Sequence, residues 1–383
     1  MPPRPFGIYV HYPWCSFRCP YCDFAVTTEP RLPGARYAAA VVEEMRRRAP
    51  AFAGRRCATL FVGGGTPSLW EPDAIGRVVE EARALGLPRD AEVTLEANPE
   101  SADARRAAAW RGAGVTRLSI GVQSFDAAVL HKLGRRHGPA EAERAIREVA
   151  GVIPNVSVDL IYGGRRASVE SARTDAQRLV SLPVTHVSAY ALTLDPDVLA
   201  EEVPFSRLAR EGKLSFPGDD EVLAEGRAIA GVLEAAGLRR YEISSFARPG
   251  FESRHNLLYW RSEDYLGAGA GAVGCVRTAT GAVRWTNHRE YRPWLAAVEG
   301  GTLPSASEEV LRPAELRNER VMLALRTAQG LDASLLSPAQ QREVAGLLRS
   351  GLAVIRGDRL ALTPAGMELH SGVAERLFES PGG

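Results

Sequence analysis

Residues 7–24 read GIYVHYPWCSFRCPYCDF, an alternating apolar run that passes directly into a loop carrying Cys15, Cys19 and Cys22. Gly7–Tyr12 has the pattern of a buried strand. The loop after it places three thiols at C-x₃-C-x₂-C spacing among aromatic residues, in a chain with only five cysteines. Such thiols can converge on one inorganic centre. A structural zinc needs a fourth ligand to close its tetrahedron, and His11 and Asp23 are the local candidates. A [4Fe–4S] cubane normally takes four thiolates, so three would leave one iron open to another ligand. A disulfide with a spare thiol, or three buried apolar cysteines, are the plainer readings.

Downstream, apolar runs alternate with amphipathic helical stretches. Runs at 58–64, 91–97, 116–123, 156–163 and 185–192 join the first, and helical patterns lie between them. Six parallel β/α units with right-handed crossovers form an open partial barrel; a full barrel of this kind has eight. The expected fold class is therefore α/β, with residues 1–238 as a (β/α)6 core. Residues 239–307 are expected as a connecting segment. Residues 308–378 are expected as a smaller winged-helix-like α+β domain, with a hairpin wing around Gly357 and Asp358.

Composition narrows the function. The chain has 383 residues, 45% hydrophobic and 24% charged, with a net charge of +1. That balance gives no basic face for nucleic acid. No apolar run approaches the ~20 residues of a membrane span. The N-terminal segment lacks the regions of a signal peptide, and few, unevenly spaced cysteines suit a reducing cytoplasm.

Polar residues recur near the C-terminal ends of the expected strands, where barrel sites are built. These are Tyr9 and His11, the Gly63-Gly64-Gly65-Thr66-Pro67 turn, Glu96 and Asn98, Gln123, and Asp159. A ring of polar groups on one face is better explained by a ligand than by isolated core contacts. The glycine turn lacks the Lys-Ser/Thr of a P-loop, which argues against a phosphate site. Arg135, in LGRRH, is suited to a carboxylate by its planar fork.

The cysteine loop ending in CPYCDF, followed by GGGTP, resembles the radical S-adenosylmethionine (SAM) superfamily, and within it the coproporphyrinogen-oxidase-like branch. The resemblance runs from end to end. It implies that Cys15, Cys19 and Cys22 ligate a [4Fe–4S] cluster whose open iron chelates SAM. It also implies that Tyr9 packs at the cluster and SAM, that Gly64, Gly65 and Thr66 hold the methionine end of SAM, and that Glu96, Gln123, Arg135 and Asp159 line the SAM and substrate cavity. Gly65→Val is then expected to weaken SAM binding while leaving the cluster intact. One departure stands at Gly164-Arg165-Arg166-Ala167-Ser168, where the family carries a Leu-Pro-Gly-Gln-Thr loop.

Two branches of the family are separated by three features. The oxygen-independent oxidase carries a long N-terminal extension and a further cysteine two places after the third. Here eight residues precede Tyr9, and that later position is Phe24. The third feature, RHNLLYW at 254–260, is similar to the His-Asn-x-x-Tyr-Trp element of the HemW-type haem chaperones. The resemblance implies a haem-binding protein that delivers haem to acceptor haemoproteins, uses an electron donor for its cluster, and leaves room for a homodimer. His255 is the implied haem ligand, expected outside the six-unit barrel; a loop histidine bonded to Asn256 is the plainer reading.

Overall fold

A computed structural model describes residues 3–165, 167–194, 199 and 203–378. Its centre is a sheet of parallel strands: β1 (Pro5–Tyr12), β2 (Arg56–Gly64), β3 (Glu92–Ala97), β4 (Arg117–Gln123), β5 (Val156–Tyr162) and β6 (His186–Ala191). Each pairs in parallel with the next in that order. All six expected units are present.

The crossover helices form because their apolar residues share one stripe. In the helix Pro139–Ala150, Ala142, Ala145, Ile146 and Val149 are buried, the i, i+3, i+4, i+7 set that faces a core. Pro139 opens that helix, at a position whose N–H has no partner within the helix. The strands are buried on nearly every residue, and β2 is exposed only at Arg56, as a sheet covered by helices requires.

The barrel does not close on itself. The far side of β1 is paired with β9 (Asp264–Ala268), and the far side of β6 with β8 (Ser245–Ala247), preceded by β7 (Arg239–Arg240). Beyond β9 the sheet continues antiparallel through β10 (Val273–Arg277), β11 (Ala282–Asn287) and β12 (Ser305–Leu311), giving twelve strands. Residues 239–307 are thus no mere connection: they supply β7 to β11 and the start of β12, the strands that flank the six-stranded core on both sides. Short strands with little periodicity hid this. Glu44 ties the extension to the core: fully buried on the helix Gly34–Arg48, it accepts from Trp294 Nε1, Asn287 Nδ2 and the Gly269 amide and pairs with Arg48.

Past Leu311 a smaller unit follows, later than residue 308 because β12 still belongs to the main sheet. Helices Pro313–Leu325 and Pro338–Arg349 pack with a sheet of β13 (Leu331–Asp332), β14 (Ala353–Arg356) and β15 (Arg359–Leu362). The wing turns at Gly357, whose positive φ of 62° suits glycine. Leu325, Leu347, Leu360 and Leu377 centre its separate core. No helix among the described residues is long and apolar enough to cross a membrane.

Candidate functional site

At the C-terminal ends of β1–β6 a cavity of about 560 Å³ opens. Cys15, Cys19 and Cys22 line one side, and Gly64, Gly65, Thr66, Glu96, Asn98, Gln123, Arg135 and Asp159 line the rest. The structure therefore gathers most of the expected residues around one space.

The cysteine loop is held from below by aromatic packing. Trp14 is buried edge-on against Tyr37 at 4.9 Å between ring centroids, and Tyr12 stacks on Trp70 at 5.1 Å. The Tyr37 hydroxyl donates to the His11 carbonyl at 2.7 Å. Large buried rings fix such a loop, since each is worth about 3–5 kcal/mol against alanine.

All three thiols are unbonded to one another. Burial pushes the Cys15 thiol up to about 11, against the pull of the Thr66 hydroxyl that donates to its sulfur at 3.4 Å. Burial also raises Cys22. A metal centre binding here must displace protons, which makes loading pH-dependent. His11 is no fourth ligand. Its Nε2 donates to the Ala25 carbonyl at 2.9 Å, which leaves Nδ1 to accept from the Tyr9 hydroxyl at 3.0 Å. Burial drops its pKa to about 4. Three thiols match the protein ligand set of a cubane with one open iron; Asp23, the other local candidate for a fourth donor, also lines the cavity.

The glycine turn is packed more tightly than its sequence shows. Amides of Gly65 and Thr66 donate to the Tyr12 and Trp14 carbonyls, and the Gly64 amide donates to Glu96 Oε2 at 3.0 Å. With these N–H groups committed, the turn can offer a ligand carbonyl oxygens, which suit an ammonium group. A Cβ at Gly65 would lie 2.7 Å from the Trp14 carbonyl oxygen and 3.0 Å from Cys15 Sγ. The expectation that Gly65→Val spares the cluster is therefore corrected, because that side chain would strike the cysteine loop itself.

Glu96 and Asp159 face inward. Burial raises Glu96 to about 8, helped by Asp159, and raises Asp159 to about 6. Ser119 Oγ donates to Asp159 at 3.3 Å. A cation entering the cavity would restore both to their charged forms.

Gln123 sits in the left-handed region at φ 71°, where the β4–β5 register slips between Gly121 and Gln123. A non-glycine residue there is uncommon, and such bulges re-aim side chains at sites. Arg135 is half-buried in the cavity wall. Its Nη2 donates to Asn98 Oδ1 at 2.6 Å and the Gly121 carbonyl at 3.0 Å, while Nη1 reaches Cys19 Sγ at 3.7 Å.

Two expected residues fall elsewhere. Tyr9 does not line the cavity; its ring backs Phe61, which does, and its hydroxyl serves His11. His255 lies on the helix Arg254–Trp260, which packs on β1, β2 and β9 rather than outside the barrel. It is 1% exposed, with Nδ1 bonded to Thr59 Oγ1 at 2.8 Å and Nε2 to the Tyr259 hydroxyl at 2.9 Å. Burial lowers its pKa to about 3. Both ring nitrogens are committed to these bonds in this conformation, so ligation of haem iron by His255 requires that they break. Its neighbour Asn256 does reach the cavity. In the departing loop, Gly163 turns at φ 72° with its amide on Glu225, and Ser168 caps the following helix; Arg166 lies outside the described residues.

Residues the sequence reading passed over also line the cavity: Arg117, Ser119 and Ser188. The signal was available, since Arg117, Ser119, Gly121 and Gln123 alternate along one strand and so share its inward face.

A family model described as the radical SAM superfamily matches residues 9–179, and the HemN C-terminal domain matches 311–369. The chain is 38% identical to the heme chaperone HemW of Mycobacterium tuberculosis, over 99% of this chain and 96% of that one. It is 38% identical to heme chaperone HemW of Escherichia coli over 76% of each chain. In fold it is similar to the solved coproporphyrinogen III oxidase HemN of Escherichia coli, with a TM-score of 0.80 at 22% identity, covering 99% of this chain and 91% of that one. From thiol loop to wing, the chain belongs to the heme chaperone HemW family of radical SAM proteins.

Proposed function

We propose that this chain binds haem and delivers it to acceptor haemoproteins in the cytoplasm, without coproporphyrinogen oxidase activity. On this reading Cys15, Cys19 and Cys22 hold a [4Fe–4S] cluster, and SAM occupies the adjoining cavity. The observation that carries it is one cavity lined by Cys15, Cys19 and Cys22, in a chain similar to a heme chaperone HemW along its length. A reduced cluster would supply one electron beside a bound sulfonium. The residues of the chain would hold the cofactor: the Gly64–Thr66 turn and Glu96 would serve its amino group, and Arg135 its carboxylate. An external electron donor and a homodimer belong to the same reading. Titration of the purified protein with haem tests it. A saturable Soret band is expected, with no porphyrin formed from coproporphyrinogen, SAM and reductant; turnover of coproporphyrinogen would contradict it.

His255→Ala is expected to destabilise the fold by about 2–4 kcal/mol, through lost packing and two broken hydrogen bonds. The Soret position of bound haem should stay as in wild type. A shifted Soret band in a folded His255→Ala protein would instead make His255 an axial ligand in an opened state.

The raised carboxyls set a pH dependence. Glu96 and Asp159 have folded pKa values of about 8 and about 6, above their ordinary 4.5 and 3.8. Their protonation therefore contributes stability that is complete below their ordinary values and is lost as pH rises through about 6 to 8. Ligand-free wild type should weaken from about pH 5 to about pH 9 in denaturant melts, and Glu96→Gln should flatten that slope. An equal slope in Glu96→Gln would remove Glu96 as its source.

A further inference from the structure

Asn98 follows β3 directly, and Pro99 after it keeps its backbone extended, at φ −101° and ψ 151°. Its side chain lies in the cavity wall between Arg135 and Thr66. Arg135 Nη2 donates to Asn98 Oδ1 at 2.6 Å, and because a guanidinium can only donate, this bond fixes which way the amide faces. Asn98 Nδ2 is thereby turned to Thr66 Oγ1, at 3.3 Å. The Thr66 hydroxyl has a single proton. With its oxygen accepting from Asn98, that proton is directed onto Cys15 Sγ at 3.4 Å. Thr66 is buried, so water competes little for the bond. The three bonds run in one direction from guanidinium to sulfur, and bonds in such a chain polarise one another. Hydrogen bonds to cysteine sulfur help set the potential of an iron–sulfur centre, since they favour the more negative, reduced form. We infer that Asn98 is a positioning residue for the iron–sulfur centre: it aims the Thr66 hydroxyl at Cys15 and so raises the reduction potential.

This rests on reading Cys15, Cys19 and Cys22 as the ligands of a [4Fe–4S] cluster. The competing role for Asn98 is a plain anchor of Arg135, whose Nη2 the Gly121 carbonyl also holds at 3.0 Å.

The test is a redox titration of the anaerobically reconstituted full chain without SAM, followed by EPR, after iron and sulfide content is measured. It compares wild type, Asn98→Ala, Thr66→Val, the double variant and Thr66→Ser. Asn98→Ala and Thr66→Val should each disfavour reduction by about tenfold, which is about 59 mV for a one-electron couple. The double variant should fall no further than Thr66→Val, because Asn98 acts through that hydroxyl. Thr66→Ser keeps the hydroxyl and should stay near the wild-type potential. Additive losses in the double variant, or a wild-type potential in Asn98→Ala, overturn the role of Asn98 alone. If Thr66→Val does not load, proton ENDOR in H₂O against D₂O decides on Asn98→Ala: one exchangeable proton coupled to the cluster should be lost, and its persistence overturns the role. Wild type that assembles no cluster overturns the reading of the three thiols with it.

Discussion

Cys15→Ser, Cys19→Ser and Cys22→Ser are each expected to reduce iron and sulfide content to background after anaerobic reconstitution, while Cys57→Ser and Cys275→Ser are expected to load as wild type does. The first three thiols share one cavity wall. Cys57 lies within β2 and Cys275 within β10, both buried away from it, where burial pushes their thiols up to about 12 and about 11. Serine keeps the size of cysteine but offers an alkoxide in place of a soft thiolate, and thiolate ligation is what holds such clusters. Iron and sulfide analysis with EPR after reduction is the measurement. A full cluster in Cys19→Ser, or none in Cys57→Ser, would break the assignment.

Gly65→Val is expected to lose both SAM binding and most of the cluster. Its Cβ alone would sit 2.7 Å from the Trp14 carbonyl oxygen and 3.0 Å from Cys15 Sγ. Backbone cannot swing aside as a long side chain can, and Trp14 is locked between Tyr37 and Tyr291. The cysteine loop must move instead. Gly54→Val is the matched control at the level of folding: nothing lies within 4 Å of its Cβ, although its φ of +76° adds backbone strain. Retained iron with weakened SAM affinity in Gly65→Val would mean the turn touches ligand and not the loop.

The sequence made the barrel legible because its units repeat a simple physical pattern: a strand buried on both faces, a turn, and a helix with one apolar stripe. The thiols, the glycine turn and the inward carboxyls were legible for the same reason, since period-two alternation and strand ends fix where side chains point. Three matters were hidden. The edges of the sheet use strands of two to seven residues, too short for periodicity, and their pairing with β1 and β6 is non-local. His255 looked like an exposed ligand because RHNLLYW shows nothing of Thr59, with which it bonds across 196 residues of chain. Arg117 was passed over because one charge in an apolar run resembles a strand boundary; only its depth in the cavity, near Glu96 and Asp159, reveals otherwise.

The account stands on this protein being a carrier of haem built around a radical SAM cavity. The most direct measurement loads the reconstituted protein with haem, mixes it with an apo-haemoprotein, and follows the Soret spectrum of the acceptor. The account predicts stoichiometric transfer to the acceptor, with no porphyrin product when coproporphyrinogen, SAM and reductant are supplied in parallel. Haem that never leaves the chain, or coproporphyrinogen that is converted, would contradict it.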